Sequence, residues 1–107
     1  MPVPIPGHSQ TMKGGWVYIV TNKPNGALYV GVCADIVVRV AQHREGKGSV
    51  HCKRYNLKRL VYVEPYPTID EAIRREKAMK EWQRAWKVKR IEEANPDWAD
   101  LWDMIQG

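Results

Sequence analysis

Two alternating runs, Trp16-Val17-Tyr18-Ile19-Val20 and Leu28-Tyr29-Val30-Gly31-Val32, flank the segment Thr21-Asn22-Lys23-Pro24-Asn25-Gly26-Ala27. Each run has the period of two that marks a half-buried strand. Pro24 presets φ and Asn25-Gly26 accepts positive φ, so the chain between them reads as a turn and the whole as a hairpin. On this reading Tyr18 shares a face with Trp16 and Val20, and Tyr29 shares one with Gly31 and Cys33. Gly31 removes a side chain two residues beyond a phenol and leaves room for something to approach the backbone. The plainer account is that Tyr and Val are good strand residues and the glycine marks a bulge.

With 107 residues the chain has material for one small domain and one core. Its net charge of +5 favours a polyanionic partner. No apolar run approaches the ~20 residues that span a membrane. The start, Met1-Pro2-Val3-Pro4-Ile5-Pro6-Gly7, lacks the charged and apolar regions of a secretory signal and reads as a flexible arm over residues 1–14, followed by a single domain over 15–107. Cys33 and Cys52 make no disulfide framework, so a reducing cytoplasm is expected.

Seven Lys or Arg lie between Arg39 and Arg59 against the single acid Glu45, and eight between Arg74 and Arg90 against Glu76 and Glu81. A solvated helix face explains part of the second cluster. The first reads mostly as loop, with Gly46, Gly48 and Ser49 for flexibility and Tyr55 interleaved. Lys47, Lys53, Arg54, Tyr55 and Lys58 therefore suit phosphate contacts with an aromatic available for stacking. No stretch shows the long apolar face of an interfacial helix, which places nucleic acid ahead of a membrane surface.

The predicted layout has strands near Gly15–Thr21 and Ala27–Cys33, then a helix near Ile36–Glu45 with Asp35 as N-cap and Gly46 as stop. A basic loop leads to a third strand near Arg59–Glu64, in which Leu60, Tyr62 and Glu64 alternate with Val61 and Val63 and which Pro65 and Pro67 end. Thr68 and Glu71 form a capping box for a long helix reaching about Trp86. A helical continuation covers Val88–Ala94, and Asn95-Pro96 caps a last short helix through Asp97–Ile105. The order ββαβαα is an α+β plan: a small three-stranded, mainly antiparallel sheet flanked by helices.

Two helices carry residues suited to chemistry. On the first, Ile36, Val37, Val40 and Ala41 form an apolar stripe, with Arg39 and His43 four apart along its edge. Taken singly, Arg39 pairing with Asp35 and a satisfied surface His43 are the usual roles. On the second, Ile69, Ala72, Ile73 and Met79 define the apolar face, and Glu76 falls inside that arc. A carboxylate there is costly unless paired, hydrogen-bonded or bound to a metal. It is either a partly buried ion pair, most naturally with Arg39, or the single carboxylate ligand of a hard cation such as Mg²⁺.

These residues together resemble the GIY-YIG endonuclease superfamily. Trp16-Val17-Tyr18 and Tyr29-Val30-Gly31 stand for its two strand motifs, followed in order by Arg39, His43 and Glu76. Asn25-Gly26-Ala27-Leu28-Tyr29-Val30-Gly31-Val32, Lys53-Arg54-Tyr55, Leu60-Val61-Tyr62, Ala72-Ile73-Arg74-Arg75-Glu76-Lys77 and the stretch from Trp86-Lys87 to Asn95-Pro96-Asp97-Trp98 resemble its small stand-alone bacterial members. The likeness covers roughly Gly15 to the C-terminus.

The resemblance implies hydrolysis of DNA, duplex or branched, leaving 5′-phosphate and 3′-hydroxyl ends, as in repair or recombination; RNA stays open. It implies one Mg²⁺ or Mn²⁺ held by Glu76. Tyr18 would accept a proton from the attacking water or orient it, and Tyr29 would hydrogen-bond the phosphate or the water. Arg39 would neutralise charge developing on the phosphate, and His43 would position or relay a proton. Departures from the pattern are Trp16 in place of the first glycine, and Cys33 and Cys52 where relatives usually carry Thr. Many superfamily enzymes use an asparagine after the glutamate helix; Asn95 is that candidate by order, but its position before Pro96 favours an N-cap.

Cys33, His43, His51 and Cys52 have ligand chemistry for zinc but none of its paired spacings. The i,i+4 pairs Trp82/Trp86 and Trp98/Trp102 read as packing in a chain without Phe. The main alternative to a nuclease is a non-catalytic nucleic-acid-binding module on the same scaffold, or a domain that docks on a larger protein partner.

Overall fold

Every residue of β1 (Gly15–Thr21) is buried, because it is the middle strand of a three-stranded antiparallel sheet ordered β2-β1-β3. β2 (Leu28–Cys33) pairs with it through the expected hairpin, Tyr18 opposite Gly31, and β3 (Arg59–Tyr66) pairs along its other side. The computed structural model describes residues 14–47 and 50–106, without the side chains of residues 50 and 51. The arm expected over 1–14 lies outside this range apart from Gly14, and so does the side chain of the zinc candidate His51.

The sheet separates two apolar clusters. Trp16, Tyr18, Val20 and Cys33 face one side, where α1 (Ile36–Arg44), α2 (Val50–Tyr55) and α5 (Trp102–Ile105) cover them through Ile36, Val40, Cys52 and Ile105. Val17, Ile19 and Val30 face the other, under Ala72 and Met79 of α3 (Ile69–Glu81) and Ile91 of α4 (Arg84–Ala94). The alternation read from the two hairpin runs is therefore the alternation of the sheet's faces.

Local chemistry places the helices. Asp35 accepts the Val38 amide at 3.1 Å to start α1, and Gly46, at φ +79, follows its end. Thr68 accepts the Glu71 amide at the start of α3, while its hydroxyl donates to the Glu71 carboxylate at 3.2 Å. Arg84 at the head of α4 donates to the carbonyls of Asn25 and Gly26, clamping that helix to the hairpin turn.

Five expectations are corrected. The basic stretch after α1 is not all loop: α2 forms there, anchored by buried Cys52, with buried Leu57 just beyond it. β3 runs through Pro65 to Tyr66, since it is an edge strand whose outer side needs no amide donor. The long helix stops at Glu81, because Trp82 turns to extended backbone (φ −68, ψ 148) before α4 begins. Its own ring packs against the second core cluster.

The fourth concerns the C-terminal segment. Asn95 does not begin a helix at Asp97. It is buried and ends α4; its Nδ2 donates to the carbonyls of Val61 and Ala99, and its Oδ1 accepts the Ala99 amide. Val61 is the bulged residue of β3: Ile19 pairs with Tyr62 and Val20 with Leu60, leaving Val61 outside the ladder with a carbonyl to satisfy. The bulge also overturns the simple alternation expected of β3. Leu60 and Val63 lie in the first cluster, Val61 and Tyr62 in the second.

Candidate active site

Three rings meet on the α1 side of the sheet. Tyr18 is fully buried, and its hydroxyl lies 3.0 Å from Nε2 of His43. Ring centroids are 5.5 Å apart for Tyr18–His43, 6.1 Å for Tyr29–His43 and 6.4 Å for Tyr18–Tyr29. β1 supplies one corner of this triangle, β2 the second and the last turn of α1 the third. His43 is buried, contrary to the surface role that is usual for a histidine so placed.

Gly31 is neither a bulge nor an opening for an outside group. It is in register with Tyr18, and a Cβ built on it would collide with the end of the Tyr18 ring. The space left by the missing side chain is filled by the phenol itself. The second motif's glycine thus sets the position of the first motif's tyrosine.

Burial raises the Tyr18 pKa well above its ordinary value, with Tyr29 and Cys33 adding to the rise and nearby Arg39 opposing it. Burial, reinforced by Arg39, lowers that of His43 below 6.5. At neutral pH the pair is therefore phenol and neutral imidazole. Cys33, on the same face, is held as a thiol, its pKa pushed up to about 12 chiefly by burial. Arg39 is half-buried, and its charge bears on Tyr18, Cys33 and His43 together.

Glu76 is buried, at 8% exposure, as its place inside the apolar arc of α3 requires. Its partner is Lys80, one turn on, and not Arg39: Nζ of Lys80 lies 2.5 Å from Oε2 of Glu76. The same ammonium stands 5.6 Å from the centroid of the Tyr29 ring. Lys80 thus links the carboxylate on the far-side helix to the tyrosine corner on β2. Sequence reasoning passed over it, although a Glu followed by Lys at i+4 is the signal for such a pair.

The donor set suits a hard, largely hydrated cation. Glu76 is a single carboxylate paired with Lys80, and no group of three or more His, Cys, Asp or Glu capable of holding a metal occurs among the described residues. Of the zinc candidates, Cys33 and Cys52 are buried free thiols, and the side chain of His51 lies outside the described residues.

The proposed nucleic-acid residues gather around α2, which packs through Cys52 onto the core that includes Tyr18. Lys53, Arg54 and Tyr55 are exposed, with the Arg54 guanidinium 5.9 Å from the Tyr55 ring. Lys47 is exposed and lies 3.6 Å from Glu45; Lys58 is half-buried.

A separate polar cluster lies towards the far end of β3. Glu64 accepts hydrogen bonds from Tyr62 (2.6 Å), Tyr66 (2.7 Å) and Arg75 Nε (2.8 Å). It ties β3 to α3, the helix that carries Glu76.

Residues 14–90 match the profile of the GIY-YIG catalytic domain. A UPF0213 protein of Staphylococcus epidermidis is 41% identical over 82 residues, 77% of this chain and 99% of that protein. UPF0213 proteins of Staphylococcus haemolyticus and Staphylococcus aureus are 41% and 38% identical over the same shares. The solution NMR structure of a UPF0213 protein from Bacillus halodurans superposes with a TM-score of 0.51 at 26% identity, covering 81% of this chain and 92% of that one. No helix among the described residues is long and apolar enough to cross a membrane.

Proposed function

This chain belongs to the GIY-YIG catalytic-domain family, a nuclease superfamily, and from that membership we propose that it is a divalent-metal-dependent endonuclease that hydrolyses DNA. The products would be 5′-phosphate and 3′-hydroxyl ends, and the setting cytoplasmic DNA repair or recombination. The observation that carries the reading is the buried contact of Tyr18 with neutral His43, with the Glu76 carboxylate kept on an apolar face of α3 and linked to the Tyr29 corner through Lys80.

The side chains have separable tasks. A phenol with a raised pKa is a poor base alone. Hydrogen-bonded to a neutral imidazole, it can pass its proton to Nε2 of His43 as it takes one from water, so that no free phenolate accumulates. Arg39 offsets negative charge that develops on the phosphate, and Tyr29 orients the phosphate or the water. Glu76 would hold one Mg²⁺ or Mn²⁺, which when bound would neutralise phosphate charge and favour departure of the 3′ oxygen. Lys47, Lys53, Arg54, Tyr55 and Lys58 would hold the DNA backbone, giving affinity that falls steeply with salt.

The test is cleavage of labelled duplex, flap, fork and single-stranded DNA with Mg²⁺ or Mn²⁺, wild type against Glu76→Ala. Metal-dependent nicking that disappears in the variant while DNA binding persists supports the enzyme. Intact DNA on every substrate, with binding retained, leaves a binding module.

A further inference from the structure

Trp86 is the most exposed large apolar side chain among the described residues, at 55%. It was expected to pack. Instead its ring stands edge-on to half-buried Trp82, with centroids 6.3 Å apart and planes at 72°. Trp82 is fixed by the Arg75 guanidinium, 4.9 Å from its ring centroid. Beside the two indoles opens a groove of about 340 Å³ lined by Trp82, Trp86, Lys89, Arg90 and Glu93. Arg90 lies 3.8 Å from Glu93, whereas Lys89 forms no ion pair among the described residues. Arg84, Lys87, Lys89 and Arg90 all precede the acids of α4, so the tryptophan stands on its basic part.

An exposed indole next to lysine and arginine suits a single nucleic-acid strand, in which a base stacks on the ring and the cations follow the phosphates. Protein interfaces are enriched in Trp and Arg but depleted in Lys and Glu, so the lysine and glutamate lining the groove are what set it apart from one. We infer that the Trp82–Trp86 groove binds an unpaired nucleotide of single-stranded DNA, with Trp86 as the stacking platform and Lys89 and Arg90 on its backbone. The groove lies on the α3–α4 side of the sheet, across from the Tyr18–His43 pair, and begins two residues beyond Lys80. It would give the enzyme a grip on an unpaired arm of a branched substrate. The inference rests on the nucleic-acid part of the proposed function and not on hydrolysis.

Binding is measured without divalent metal, by fluorescence anisotropy of a labelled oligothymidylate and of a labelled blunt-ended duplex without a loop, so that failure of catalysis does not enter. Trp86→Ala is expected to weaken oligothymidylate binding about tenfold, leaving duplex binding within about twofold, while Trp86→Phe keeps most of the affinity. Lys89→Glu should weaken the same ligand and flatten its salt dependence. The inference is overturned by equal oligothymidylate affinity in wild type and Trp86→Ala, by a parallel loss on the duplex, or by no single-strand binding in wild type. A change of oligomeric state in Trp86→Ala, seen by light scattering with single-strand affinity unaltered, overturns it too and assigns the patch to self-association.

Discussion

The Tyr18 hydroxyl and Nε2 of His43 are 3.0 Å apart in a buried setting, while Nδ1 of the same imidazole has no hydrogen-bond partner among the described residues. If Nδ1 carries the proton, Nε2 accepts from the phenol. If Nε2 carries it, the imidazole donates to the phenol oxygen and the hydroxyl hydrogen is free to reach a ligand. Only the first arrangement lets the phenol pass its proton to Nε2; the second turns the hydroxyl towards a ligand.

Tyr18→Phe keeps the ring over Gly31 and removes only the oxygen. The fold should survive, with a loss of about 1 kcal/mol for the hydrogen bond. Cleavage should fall by at least about a hundredfold at unchanged DNA affinity. Denaturation, anisotropy and single-turnover cleavage measure the three quantities. Near-wild-type cleavage would remove Tyr18 from the chemistry.

Gly31→Ala drives a methyl group into the Tyr18 ring. Overpacking of this kind costs about 1–3 kcal/mol, and the phenol must shift away from His43. A lowered urea midpoint together with lost cleavage is the expected outcome. A stable, fully active Gly31→Ala protein would show that the close approach does not matter.

His43 supplies a pH dependence whose sign is fixed. Its pKa is lowered in the folded protein, so between that value and about 6.5 the unfolded chain binds the extra proton. Its stabilising contribution is fully present above 6.5 and is lost as pH falls through the window below. Melting temperature should drop in that window for wild type and drop less for His43→Gln, in which the titrating group is gone. Parallel curves for the two proteins would refute the assignment.

Lys80→Met leaves the buried Glu76 carboxylate without its cation. Without metal the variant should be less stable by about 1 kcal/mol, a figure discounted because Lys80 is half-exposed. Added Mn²⁺ should then raise its melting temperature more than it raises that of wild type, because no ammonium competes for the oxygen. An equal or smaller rise would argue against Glu76 as the ion's ligand.

Much of this architecture could be read locally. Asp35, Thr68 and Gly46 end or start helices through their own side chain or φ, and Asn25, at φ 59, turns the hairpin by its own backbone conformation. Glu76 was conspicuous because a charge at an apolar helical position demands an explanation. What escaped depends on tertiary contact. α2 has few apolar residues to mark it, and the break at Trp82 has no Gly or Pro, only an indole drawn into the second core cluster. Lys80 was missed because Arg39 looked the more natural partner, although Arg39 sits across the sheet with Tyr18 and His43. Nothing in the alternation of Leu60 to Glu64 announces the shift at Val61.

That shift makes β3 two short rulers of opposite phase, spliced at one residue. Deleting Val61 would restore regular alternation with Leu60 still opposite Val20, but it would remove the carbonyl that Asn95 grips. The C-terminal segment would lose one of its ties to β3, upstream of Asp100, which reaches Arg44 in the turn of helix that bears His43. Anyone transplanting this sheet into another scaffold must carry the irregularity and its asparagine together.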